Sequence, residues 1–102
     1  MVLMEFSLFP LDKGVSLSPY VARSLQIVEQ SGLDYRLTAM GTIVEGEVGQ
    51  VLDVMKQCLE AMAADCDRIS CSAKLDYRTG DNRRLEAKVG SVEAKVGHAL
   101  KK

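Results

Sequence analysis

Two short segments of β character stand back to back around Met40-Gly41, and on both sides of them the apolar residues switch to helical spacing. Few folds accommodate that order. Upstream, residues 3–9 alternate, with Met4, Phe6 and Leu8 on one face and Glu5 and Ser7 on the other, which predicts a first strand. Residues 10–17, containing Lys13-Gly14, read as a loop. Ser18-Pro19 then offers a hydroxyl N-cap followed by a proline at the first helical position, so a helix is expected to about residue 31, striped by Val21, Leu25 and Val28 and stopped by Gly32.

The hairpin strands are predicted near 34–38 and 42–47. Val48, Val51, Leu52, Met55, Leu59 and Met62 fall at helical spacing and predict a second helix over about 48–64. Ile69, Cys71, Ala73, Leu75 and Tyr77 alternate with Ser70, Ser72, Lys74 and Asp76, as a half-buried strand does. Residues 78–82 read as a turn, and a third helix is expected over about 83–100. The predicted order, β-α-β-β-α-β-α, places the chain in the α+β class. Its first six elements match a ferredoxin-like βαββαβ antiparallel sheet with two helices on one face, leaving an extra C-terminal helix and a polar second face bearing Glu5, Ser7, Ser70, Ser72 and Lys74. At 102 residues the expectation is a single domain, residues 1–102.

The last helix carries an internal echo, EAKVG at 86–90 and again at 93–97. Leu85, Val89, Val92, Val96 and Ala99 are spaced four, three, four, three, which is a heptad seam. Gly90 and Gly97 each weaken that helix by about 1 kcal/mol relative to alanine, so the seam is expected to dock either on its own domain or on another subunit.

Charge narrows the function classes. Thirteen basic and 14 acidic residues are mixed along the chain for a net charge of −1. With no basic stripe, nucleic-acid binding is not expected. No apolar run approaches the roughly 18 residues that span a bilayer, so no membrane partner is expected. The N-terminus has no basic leader and carries Glu5 inside its apolar stretch, which suits a strand better than a signal peptide and makes the cytoplasm the expected location. The three cysteines, Cys58, Cys66 and Cys71, are expected as reduced thiols. Their spacing and the distant His98 give no zinc pattern, so no metal or cofactor is expected.

No Cys/His or Ser/His pair stands at suggestive positions and no Gly-rich phosphate loop is present, and a single histidine leaves little for proton transfer near neutral pH, so a binding protein is expected rather than an enzyme. In a ferredoxin-like chain the loop after the first strand and the β-hairpin share one end of the sheet. That brings Ser16, Ser18 and the start of the first helix towards Met40 and Thr42, with Glu45 three residues further along the strand, roughly 10 Å away. Glu45 is a carboxylate among residues expected to be buried, so it is either a paired structural charge, to Lys74, Arg36 or a basic group of another subunit, or part of a ligand site. Arg78, Asp81, Arg83 and Arg84 form a charged turn, either solvated or holding an anion.

With these residues in view, the chain resembles the thiamine-binding protein family. The likeness rests on the opening strand ending in Phe9-Pro10, on Ser16-Leu17-Ser18 followed by Tyr20-Val21, on Met40-Gly41-Thr42-Ile43-Val44-Glu45-Gly46, and on Arg84-Leu85-Glu86-Ala87-Lys88-Val89. The resemblance implies a ferredoxin-like subunit, a homo-oligomer (dimer or tetramer), and binding of thiamine or its hydroxymethylpyrimidine portion without turnover. It casts Ser16, Ser18 and Thr42 as readers of the pyrimidine edge, Glu45 as partner to a ring nitrogen or to the thiazolium, and Met40 as a packing surface for a ring. The alternative is an oligomeric structural or regulatory protein without a small-molecule ligand.

Overall fold

The computed structural model describes residues 1–80 and 84–102, and for Glu86 the backbone alone. The elements are β1 (Val2–Pro10), α1 (Ser18–Gln30), β2 (Asp34–Thr38), β3 (Gly41–Gly46), α2 (Val48–Ala63), β4 (Ile69–Tyr77) and α3 (Arg84–Val96). The four strands form one antiparallel sheet in the order β2-β3-β1-β4, the ferredoxin-like arrangement expected from the sequence. Element order and the β2 and β4 limits agree with that expectation, and other limits shift by a few residues. Asp81, Asn82 and Arg83, which belong to the predicted charged turn, lie outside the described residues.

The central strand β1 carries the strongest alternation. Val2, Met4, Phe6 and Leu8 are buried, facing Val28 of α1 and Val51, Val54, Cys58 and Met62 of α2, with Val44 of β3 beside them. Each such side chain contributes about 1.5–3 kcal/mol on leaving water, so this one face holds the two helices. The helix faces are rotated from the predicted stripes. In α1, Ser24 and Val28 point inward, and Val21 stands aside, 37% exposed. In α2 the buried row is Val51, Val54, Cys58 and Met62, while Val48, Leu52 and Leu59 stay exposed. The predicted stripes took in apolar residues from more than one flank and left out Val54, because the sheet covers only one narrow face of each helix.

The helix ends also differ from expectation at one point. The residue before α1 is Leu17, and no side chain caps that end. Ser18 is already helical, so its hydroxyl is not the N-cap. The first turn closes through the Leu17 carbonyl, which accepts from the Tyr20 and Val21 amides. Gly32 does end α1, at φ +76°, a left-handed conformation that glycine adopts without steric cost. At α2, Glu47 and Gln50 form a reciprocal capping box, with the Glu47 amide donating to Gln50 Oε1 at 3.0 Å.

The third helix meets the opposite face of the sheet with its first turn and then runs outward. Val89, Val92 and Val96 are 36%, 51% and 48% exposed, so most of the heptad seam is uncovered by the domain itself. The molecule is correspondingly long, 46 Å in its largest dimension, with a radius of gyration of 14.9 Å against about 13 Å for a compact chain of this size.

Candidate functional site

A cavity of about 190 Å³ opens between the N-terminal half of α1, the end of β1 and the β2–β3 hairpin. Its apolar wall comes from Phe6, Leu8, Leu17, Val21, Leu25 and Leu37. Thr42 and Ser24 supply hydroxyls to it, and both residues are buried, at 6% and 7% exposure. Parity places them there. Thr42 lies opposite Phe6 of β1 and Leu37 of β2, on the helix-facing side, and Ser24 is one helical turn before Val28 on the inward face of α1.

Neither hydroxyl makes a hydrogen bond among the described residues. Ser24 does not bond back to its own helix; its carbonyl instead accepts from the Cys58 thiol. Thr38, also on the lining, is fully engaged. Its hydroxyl donates to the Gly41 carbonyl at 2.9 Å and accepts from the Met40 and Gly41 amides, which locks the turn. Met40 sits at the rim with 85% of its surface exposed. Gly41 forms part of the wall where only glycine fits, because a Cβ there would lie 2.9 Å from the Phe6 carbonyl oxygen.

Of the five residues singled out from the sequence, the structure brings Met40 and Thr42 together at this cavity. Ser16 and Ser18 flank the lining residue Leu17 and remain exposed, outside the lining. Glu45 is on the other face of the sheet. Three residues separate it from Thr42, and an odd separation along a strand reverses the side chain's direction. Ser24, Leu25 and Leu37 were not anticipated. The signal for Ser24 was its spacing, four residues after Tyr20 and four before Val28.

Glu45 has a structural occupation. It is 2% exposed, and its Oε2 accepts from the backbone amide of Arg84, the first residue of α3, at 2.5 Å. A carboxylate at that end meets free amides and the positive end of the helix dipole. The pairing partners named from the sequence, Lys74 and Arg36, do not hold it; an arginine backbone does. The Arg84 side chain, 3% exposed, reaches across to the Met1 and Asp76 carbonyls and pairs with the Asp76 carboxylate at 2.9 Å. Lys88 joins the same carboxylate. Glu45 Oε1 and Arg84 Nε are buried without partners among the described residues.

Lys88 and Arg84 beside Asp76 pull its carboxyl down from 3.8 to about 2. A carboxylate whose folded value is depressed stabilises the fold above its unfolded value and loses that contribution as pH falls through the folded one. Unfolding by urea between pH 5 and pH 2 should therefore show stability falling below about pH 4, with a shallower fall in Asp76→Asn. Because Asp76 is partly exposed, added salt should shrink the difference.

The thiols offer no nucleophile. Burial pushes Cys58 up to about 11 and raises Cys66 and Cys71 as well, so all three stay protonated near neutral pH. Among the described residues no group of three or more His, Cys, Asp or Glu is placed to hold a metal, and no helix is long and apolar enough to cross a membrane.

Comparison with known proteins gives a consistent assignment. Residues 4–93 match the model of the family described as thiamine-binding protein. The UPF0045 protein Mb1933 of Mycobacterium bovis is 36% identical over 93 residues, covering 90% of this chain and 91% of the relative. The UPF0045 protein MJ1052 of Methanocaldococcus jannaschii is 32% identical over 91 residues, 89% of this chain and 91% of the relative. The crystal structure of MJ1052 superposes with a TM-score of 0.83, covering 89% of this chain and 94% of the other. A Bacillus cereus domain of unknown function, DUF77, superposes at 0.72 with 34% identity, covering 83% and 85%. The ferredoxin-like fold, the family match across 4–93 and relatives aligned over nine-tenths of the chain agree: this chain belongs to the thiamine-binding protein family.

Proposed function

We propose that the protein is a cytoplasmic, non-catalytic binder of thiamine or its hydroxymethylpyrimidine portion, with the pyrimidine seated in the cavity between α1 and the hairpin. The observation that carries this is the pair of uncommitted hydroxyls, on the largely buried residues Ser24 and Thr42, that line a mostly apolar hollow. A hydroxyl can donate and accept, and a ligand's ring nitrogens and amino group supply partners of both kinds. A cavity of about 190 Å³ is large enough to take a substituted ring. The pyrimidine goes in, and a thiazolium remains outside, near exposed Met40, Ser16 and Ser18. The family's description supports the same ligand class.

Binding is proposed without turnover, because the site contains hydroxyls and apolar groups and no side chain able to act as a base near neutral pH. Subunits are proposed to assemble as a dimer or tetramer, which the uncovered seam of α3 supports.

Calorimetric titration with thiamine and with hydroxymethylpyrimidine is the test. Thr42→Val and Ser24→Ala should each weaken binding by about 2–10-fold, the equivalent of one hydrogen bond at 0.5–1.5 kcal/mol. Glu45→Gln should leave affinity within twofold, provided that the variant is folded. Absence of heat at millimolar concentrations of both ligands would favour the structural or regulatory alternative. Mass spectrometry of the recovered ligand should show it unchanged.

A further inference from the structure

Strand β1 runs past the end of its neighbour β3. Pairing between them stops at Phe6 and Thr42, whereas β1 and β4 stay paired as far as Pro10 and Ile69. The next pair in register would set Leu8 opposite Met40, but Ala39 and Met40 form the turn between β2 and β3. The gap left beside Leu8 belongs to the cavity. Phe6, Ser7, Leu8 and Phe9 all line it, and because side chains alternate, four consecutive residues share one wall only along the backbone edge.

The ladder decides which backbone groups face that gap. In an antiparallel sheet the N–H and C=O groups of successive residues point to opposite edges of the strand. At both ends of the β1–β4 register the bonds fall on odd residues. The Leu11 amide donates to the Arg68 carbonyl, and the Met1 carbonyl accepts from the Arg78 amide. Even residues therefore turn towards β3, as the Phe6 carbonyl beside Gly41 does. Val2, Met4 and Phe6 meet Gly46, Val44 and Thr42 there. Leu8 meets no strand, and its amide and carbonyl have no partner among the described residues.

We propose that this backbone pair selects the ligand, the Leu8 amide donating to a ring nitrogen and the Leu8 carbonyl accepting from an amino group on the adjacent ring carbon. The two groups of one residue leave the strand on the same side and match an acceptor and a donor on neighbouring ring positions. A 4-aminopyrimidine carries that pair. Leu8 lies two residues beyond Phe6, roughly 7 Å along the strand from the level of Thr42, a span that one substituted ring covers. The Thr42 and Ser24 hydroxyls are then left for the ring's other substituents.

A 4-oxo ring bears its donor and acceptor in the reverse order. It must turn over to match Leu8, which carries its other substituents away from those hydroxyls. Selection thus rests on the amino group. A peptide strand is a poorer occupant of this edge, because Pro10, the next residue facing it, has no N–H. The inference rests on the ligand reading proposed above and adds the group that tells an amino ring from an oxo ring.

Amide hydrogen exchange followed by NMR on the full chain is the test, free and with saturating hydroxymethylpyrimidine, beside calorimetric titration of the 4-oxo counterpart. In the free protein the Leu8 amide should exchange at least about 100-fold faster than those of Met4 and Phe6, and the ligand should slow it at least about tenfold. The 4-oxo ring should bind at least about tenfold more weakly, the equivalent of two lost hydrogen bonds, and Thr42→Val should keep that preference. Any of three results would overturn this inference and leave the ligand reading standing: a Leu8 amide already protected in the free protein, saturation without slowing at Leu8, or equal affinity for the two rings. A preference abolished by Thr42→Val would do the same. Absence of binding by either ring would overturn both.

Discussion

Glu45→Ala is expected to lower stability by about 1–3 kcal/mol. The carboxylate serves the Arg84 amide at the start of α3, and its removal leaves a buried donor unpaired at a cost of about 1–3 kcal/mol. The Arg84 guanidinium keeps its ion pair with Asp76, so the loss centres on the backbone amide. Urea unfolding measures the total. Hydrogen exchange locates it: amides of α3 should lose protection first, because that helix is anchored to the sheet near its start, through Arg84 and Lys88, while β1 amides should open at the reduced global free energy. Glu45→Gln keeps an acceptor for the amide and should recover a substantial part of the loss. Unchanged α3 protection in Glu45→Ala would show that the helix is held by something other than its cap.

Gly41→Ala is expected to cost about 1–3 kcal/mol and to weaken ligand binding by at least tenfold. The new Cβ would meet the Phe6 carbonyl oxygen at 2.9 Å, and that oxygen is backbone of the central strand, unable to swing away. Relief requires β3 to move from β1 at the hairpin, and Phe6, Gly41 and Thr42 together form that wall of the cavity. Stability and affinity should therefore fall together, whereas Thr42→Val should weaken binding with little change in the urea midpoint. Native-like affinity in a folded Gly41→Ala protein would place the ligand elsewhere. Calorimetry and urea titration on the same preparations separate these outcomes.

Much of the site was legible one residue at a time, and its convergence was not. The turn at Met40-Gly41, the break at Gly32 and the alternation in β1 all follow from short-range rules, which act within a few residues and so leave a mark in the sequence. The capping box was equally legible, as Glu47 and Gln50 three apart before an apolar run, though the helix start was first read from Val48 alone. Parity was legible too. Thr42 and Glu45 differ by three along one strand, which sends them to opposite faces, and the expected meeting of hydroxyl and carboxylate ignored it.

Ser24 shows a different limit. Its place on the inward face of α1 follows from helical period, but whether a serine there finds a partner depends on what packs over it. In this fold that is a cavity.

The order and type of the elements were determined by the sequence by itself, because propensity, period and turn chemistry are local. Which flank of each helix is buried, which face Glu45 serves and which edges stay open were decided only by the tertiary structure. Those outcomes depend on how a sheet of finite width meets two helices, and each helix carried more apolar residues than that sheet could cover.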